Sequence, residues 1–248
     1  MRLLLPLGGL AIVGGIWEFM GRVVVTDRLL FTPMSTTMVT LYDLLSSGAI
    51  LPDLKVSAEE FALGYLVAAA IGILLGALFA ASDFAHRLFS AAVQAGYATP
   101  IVALAPPIII LFGIGIRSKV VVVTSMAVFP ILIGTEGALR AINPEYTETA
   151  RAFGANRLQS LRMVVFPAAA AGVLTGLRLG VGRGIIGVVV AEFFGASHGL
   201  GFLLVQYSNQ FLTSKTLAVV VLLAAIGVLS NSALLFLERR LAPWSRGE

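Results

Sequence analysis

Phe61-Ala62-Leu63-Gly64-Tyr65-Leu66-Val67-Ala68-Ala69-Ala70-Ile71-Gly72-Ile73-Leu74-Leu75-Gly76-Ala77-Leu78-Phe79-Ala80-Ala81 is an unbroken stretch without a single charged residue. As α-helix, with about 1.5 Å of rise per residue, it covers roughly 30 Å, the thickness of a bilayer's hydrocarbon core. The rest of the chain agrees with a lipid solvent. Of 248 residues, 58% are hydrophobic and 12% charged, and mean hydropathy is +0.96, far from the roughly quarter-charged average of soluble domains.

Working outward, apolar runs of spanning length recur at Leu3 to Met20, Phe61 to Ala81, Leu88 to Ile114, Val120 to Leu139, Ala168 to Phe194 and Leu217 to Phe236. The expectation is an all-α integral membrane protein of about six transmembrane helices. The first run carries Glu18 and is followed by Arg22, so five spans is the fallback. Met1-Arg2 before an apolar run has the look of a secretory signal, but no small-x-small cleavage site follows, and the segment reads as a retained span. Pro100, Pro106 and Pro107 remove helix donors and predict a kink or break in the third run. The domain plan is an N-terminal helix at 1–30, an outer loop at 31–58, a core of five spans at 59–240 with a polar loop at 141–167, and a tail at 241–248.

The seventeen Lys and Arg and the net charge of +4 are spread over the short segments between apolar runs, which suits membrane topology and not nucleic acid. With both termini cytoplasmic, Arg2, Arg87, Arg140, Arg151, Arg157, Arg162, Arg239, Arg240 and Arg246 lie inside, against Arg22, Arg28, Lys55, Arg117, Lys119 and Lys215 outside. Two spans carry small residues at every fourth position, Gly64-Ala68-Gly72-Gly76-Ala80 and Gly172-Gly176-Gly180-Gly184. Such stripes let helix backbones approach, within the chain or between subunits.

The polar loop reads as a complete short helix. Asn143 caps its start, Pro144 suits the first helical position, Glu145 favours the positive end of the dipole, and Gly154 supplies the stop. Ile142, Tyr146, Ala150 and Phe153 share one face; Glu145, Glu148 and Arg151 fall elsewhere. A second piece, Asn156 to Val165, leads to Pro167. The narrow apolar face and small alanines suit docking into a soluble partner better than lying in lipid headgroups.

Glu148-Thr149-Ala150, then Gly154, then Val164-Val165-Phe166-Pro167 resembles the EAA signature of binding-protein-dependent ABC importer permeases, with matching spacing and with Thr149, Val164 and Phe166 in place of Ala, Ile and Leu. Thr32-Pro33-Met34-Ser35, Phe112-Gly113-Ile114-Gly115, Phe129-Pro130-Ile131-Leu132, Thr175-Gly176-Leu177-Arg178 and Val190-Ala191-Glu192 look like the sulfonate, taurine and nitrate branch. Glu60 departs from it, since relatives commonly carry a basic residue there.

The resemblance implies a type I ABC importer permease fold in the bacterial cytoplasmic membrane. It also implies a homodimer with a second copy of the chain, two cytoplasmic ABC ATPases, and an extracytoplasmic substrate-binding protein. Glu145, Glu148, Thr149, Ala150, Arg151, Phe153, Gly154 and Pro167 would then form the coupling helix and its exit, contacting the ATPase. The solute would be small and anionic or zwitterionic, with taurine or an alkanesulfonate first, and nitrate, bicarbonate, an aromatic carboxylate or a thiamine pyrimidine precursor behind.

No Gly-x-x-x-x-Gly-Lys-Ser/Thr is present, and Lys55, Lys119 and Lys215 follow no glycine-rich turn, so ATP and Mg would be bound by the partner and no cofactor is expected here. Cysteine is absent and the two histidines, His86 and His198, fall in separate loops, which argues against a catalytic or metal site. The alternative is an ion-coupled secondary transporter or channel without an ATPase, though no inverted repeat is visible. Candidate pathway residues are Gln94, Tyr97 and Thr99 in the proline-broken span and Arg178, Arg183 and Glu192 in the fifth, because ionisable groups within a span tend to face a cavity or a partner. Arg178 and Arg183 lie about 140° apart around a helix and do not share a face.

Overall fold

The computed structural model describes residues 4–241, all helix and connection without a strand among them. Residues 242–248 of the tail expected at 241–248, and Met1 to Leu3, lie outside the described residues. The chain divides into two compact units, 1–58 with 196–226, and 59–195 with the chain from Gly227 onward.

In the first unit, α1 (Leu4–Phe19) runs into a π-helical turn, Met20–Val24. The regular helix has 16 residues, short of the about 20 needed for a perpendicular crossing. The segment expected as an outer loop at 31–58 is largely helical, with α2 (Met34–Ser46) and the first turns of α3 (Leu51–Ala81). Trp17 Nε1 donates to Thr32 O at 3.0 Å and the Glu18 carboxylate accepts from Ser35 N at 2.9 Å, which pins the α1 end to the start of α2. Here α10 (Leu200–Asn209) begins where Gly199 N donates to Asp53 Oδ1 and Leu200 N to Ser57 Oγ, both at 2.8 Å. Two α3 side chains thus satisfy donors that a helix start leaves open.

The second unit is built around α6 (Ile116–Arg140). Its Val122, Val123, Ala127 and Ile131 are wholly buried, and α3 and α9 (Phe166–Gly195) press against it through their glycine stripes. A Cβ added at Gly76 would lie 2.7 Å from Leu132 O, and one at Gly176 3.1 Å from Gly134 Cα. The stripes therefore serve packing within the chain. Hydroxyl groups cross the same seams, Tyr65 to Leu177 O at 2.8 Å and Thr124 to Gly64 O at 3.0 Å, giving attraction that does not depend on water.

Four helical stretches, Leu51–Ala81, Ile116–Arg140, Arg157–Gly195 and Thr213–Arg240, are long and apolar enough to cross a membrane. The pair α4 (Asp83–Ala98) and Ile101–Phe112, bent by 83°, is long and apolar enough to form a broken span or a re-entrant loop. The last turns of that pair form α5 (Ala105–Phe112). The bend falls where the prolines predict it: Thr99 is extended ahead of Pro100, as the residue before a proline prefers. Of the six expected spans, four are therefore present by length and composition and a fifth if the bent pair is one span, while the regular helix of α1 is shorter than a span. The last of them is α11 (Thr213–Leu241).

Candidate functional site

The polar loop folds as its residues dictate. In α7 (Pro144–Ala152), the Asn143 side chain accepts from Glu145 N at 3.0 Å and Pro144 opens the helix. Gly154 closes it with φ +84, donating to Arg151 O at 2.9 Å. A non-glycine residue resists that left-handed conformation. A reciprocal cap follows, with Gln159 N donating to Asn156 Oδ1 at 2.9 Å and Asn156 N to Gln159 Oε1 at 2.8 Å. It starts α8 (Arg157–Ser160), which continues through a π-helical turn, Leu161–Val165, into α9. One helical rod thus joins the loop to the membrane.

No residue of α7 is buried. Glu145, Glu148, Thr149 and Arg151 are exposed, and the largest apolar side chains around them are bare too: Phe153 is 87% exposed, Leu158 74% and Met163 73%. Tyr146, Thr149, Met163 and Pro167 share the rim of a shallow, mostly apolar hollow of about 440 Å³. Ala150 is half-buried and makes the acceptor for Ala155 N at 3.0 Å. Nine residues are too few for a helix to hold itself in water; the caps hold this one, and its apolar surface is left for something else to cover.

The pathway candidates separate into three places. Tyr97, Thr99 and Arg183 converge on a cavity of about 90 Å³ beside Pro100, Met126 and Phe129, with the Arg183 guanidinium 5.7 Å from the centre of the Tyr97 ring. Gln94 is exposed one turn before Tyr97 on α4 and does not line that cavity. Arg178 turns to another face, as its position on the helix requires, and meets Glu238 of α11 at 3.6 Å.

Glu192 is buried near the far end of α9, within hydrogen-bonding reach of Glu60. Glu60 in turn holds the Lys119 ammonium at 2.5 Å, all three side chains lying inside the unit. Lys119, read from sequence as an outer-loop cation, is thus a buried member of α6. It also accounts for the unusual acid at Glu60: the chain supplies its own cation.

At the opposite end of the same bundle Arg140 bridges Asp83 at 3.0 Å, Glu136 at 3.3 Å and the carbonyl of Phe79 at 2.9 Å, and His86 also meets Glu136. Among the described residues no group of His, Asp and Glu is placed to hold a metal ion. In the first unit His198 lies 3.5 Å from Asp53, and burial together with the Asp53 charge raises the Tyr207 phenol above its usual range.

A bundle broken at Pro100 and a bare, capped helix one turn ahead of a long span are features to compare with known proteins. Residues 68–243 match the family described as binding-protein-dependent transport system inner membrane component. The chain belongs to this family. Among relatives, it is 32% identical to the putative aliphatic sulfonates transport permease protein of Bacillus subtilis (strain 168), covering 98% of the chain and 86% of the relative. It is 31% identical to the formylaminopyrimidine transport permease protein of Halalkalibacterium halodurans (93% and 92% covered). To the taurine transport system permease protein of Escherichia coli (strain K12) the identity is 28% (97% and 89%).

Among solved structures, a chain of the MetNI methionine ABC transporter in inward-facing form superposes with a TM-score of 0.67 at 23% identity, covering 78% of this chain and 96% of that one. That likeness establishes the fold, the type I importer permease fold that the resemblance implied. The family matches also bear out the sulfonate and taurine branch. As a member of this inner-membrane family the chain is a multi-pass membrane protein and a transport component.

The buried Glu60–Lys119 pair escaped the sequence reading because nothing in a one-dimensional pattern links residues so far apart. The only signal was Glu60 itself, out of place for the branch. Met126 and Phe129, which wall the Arg183 cavity, sit in a run that reads simply as apolar span.

Proposed function

We propose that this chain is the membrane-spanning permease subunit of an ATP-driven importer. Two copies form the passage, two cytoplasmic ABC ATPases bind and hydrolyse ATP with Mg, and an extracytoplasmic binding protein delivers a small anionic or zwitterionic solute such as taurine, an alkanesulfonate or nitrate. Both termini lie in the cytoplasm and the outer helix surfaces meet lipid. The observation that carries the reading is α7: a capped helix without a buried residue, joined by the short turn at 153–156 to the helical stretch Arg157–Gly195, which packs on α6.

A rod of this kind passes displacement from a docked partner into the bundle without a large contact area. Glu148 and Arg151, exposed on α7, would set the register on the ATPase, with Tyr146 and Phe153 filling apolar pockets. The sulfonate and taurine transport relatives support the solute class, and the formylaminopyrimidine relative marks how far a substrate can change on this scaffold.

Co-purification of the tagged chain with its genomically neighbouring ATPase tests the reading. Wild type is expected to retain the ATPase and stimulate hydrolysis. Gly154→Val, which forces a β-branched residue into a left-handed conformation, and Phe153→Ser are expected to lose the partner or uncouple hydrolysis, while the variants still purify as folded membrane protein. Wild type that purifies without any ATPase would instead favour a secondary transporter or channel.

A further inference from the structure

Arg183 sits on α9 with about 18 Å of helix between it and the nearer end at Gly195, and about 26 Å to the end at Phe166. It lies inside the apolar run Ala168 to Phe194 read as the fifth span. It is exposed on the surface of the unit, and among the described residues it makes no ion pair. Its guanidinium lies 5.7 Å from the centre of the Tyr97 ring. A charge at the centre of a span is unfavourable by roughly 2.5–3.5 kcal/mol on insertion scales unless something answers it.

The acids of the unit do not answer it. Glu60 holds Lys119, Asp83 and Glu136 hold Arg140, Glu238 meets Arg178, and Glu192 is buried against Glu60. Among the described residues none of these acids pairs with Arg183.

We propose that Arg183 and Tyr97 form an oxyanion station on the solute's route, taking the sulfonate or carboxylate headgroup of a small organic anion. This rests on the importer reading. With the Tyr97 ring 5.7 Å away, the guanidinium keeps N–H donors for two oxygens of an oxyanion, the bidentate geometry that arginine offers and lysine does not. The Thr99 hydroxyl donates to Ala95 O at 2.7 Å, so attraction comes from the arginine, with the Tyr97 side chain on the same cavity wall. Met126 and Phe129 give apolar walls for a short carbon body. The cavity, about 90 Å³, admits a headgroup and a carbon or two, well below the roughly 300 Å³ at which drug-sized sites begin. A small, single-contact station suits transport, where the solute must leave as readily as it enters.

The test is calorimetric titration of the full chain in phosphatidylcholine nanodiscs with ethanesulfonate, and with neutral ethanesulfonamide as control. Wild type is expected to bind ethanesulfonate saturably at millimolar concentrations and to ignore the sulfonamide. Arg183→Gln should weaken binding by about tenfold or more, the scale of a lost charge-assisted hydrogen bond. Arg183→Lys and Tyr97→Leu should fall between.

Equal binding by wild type and Arg183→Gln, equal binding of the sulfonamide, or no binding by wild type each overturns the assignment. So does suppression of ethanesulfonate binding when phosphatidylglycerol is added, which would make the anion a lipid headgroup. Arg183→Gln removes a charge from a span, and folding is checked by its retention of the ATPase. Loss of the ATPase from wild type would count against the importer reading, whereas equal ethanesulfonate binding with the ATPase retained counts against this site alone.

Discussion

At the scale of single residues, the Lys119–Glu60 pair shows how a membrane bundle tolerates charge. Two oppositely charged side chains at 2.5 Å, buried together, satisfy one another; either alone would be a stranded ion. Removing one partner of such a pair typically destabilises by about 3–5 kcal/mol, whereas replacing both is close to neutral. Lys119→Met is therefore expected to lower the thermal midpoint of the detergent-solubilised protein sharply. Adding Glu60→Gln, which removes the charge left without its cation, should recover most of the loss. A double variant as unstable as the single one would mean that Lys119 acts through packing and not through charge.

At the scale of elements, the glycine stripes decide which helices touch. Gly176 faces Gly134 across the α6–α9 seam at backbone distance, while nothing lies within 4 Å of a Cβ built at Gly182. Gly176→Leu is expected to destabilise by about 1–3 kcal/mol or more, because overpacking forces the backbones apart. Gly182→Ala should be neutral, as read by the monodisperse fraction surviving a heat step.

Signals that act over a few residues were legible in the sequence: the Asn143 cap, Pro144, the Gly154 stop and the Pro100 break all stand where their chemistry puts them. The stripes were legible as close-packing faces, but their partner was not, since small residues pack equally well on α6 or on another subunit until the third dimension is known. The same holds for the site. Arg183, Tyr97 and Thr99 were visible as polar residues in spans, whereas their convergence, and the departure of Arg178 to Glu238, depend on how α4, α9 and α11 are arranged.

At the scale of the whole molecule, the ion pairs of the second unit supply a topology that loop charges only suggest. Asp83–Arg140 puts the α3–α4 junction and the end of α6 on one side. Glu60, Lys119 and Glu192 put the early part of α3, the start of α6 and the end of α9 on the other. Removing the buried Lys119 from the outer-loop count also widens the excess of basic residues on the Arg140 side, where α7 and α8 follow, which by the positive-inside rule supports the proposed cytoplasmic placement of that side. The chain has no cysteine, which makes each introduced thiol unique. Ile114→Cys, in the exposed turn between α5 and α6, is expected to react with a membrane-impermeant maleimide in spheroplasts. Arg157→Cys, exposed at the start of α8, is expected to react only after the membrane is opened, in cells expressing the permease without its ATPase. The reverse pattern would turn the molecule over and place α7 outside, beyond the reach of any cytoplasmic ATPase, so this labelling bears on the coupling reading as directly as co-purification does.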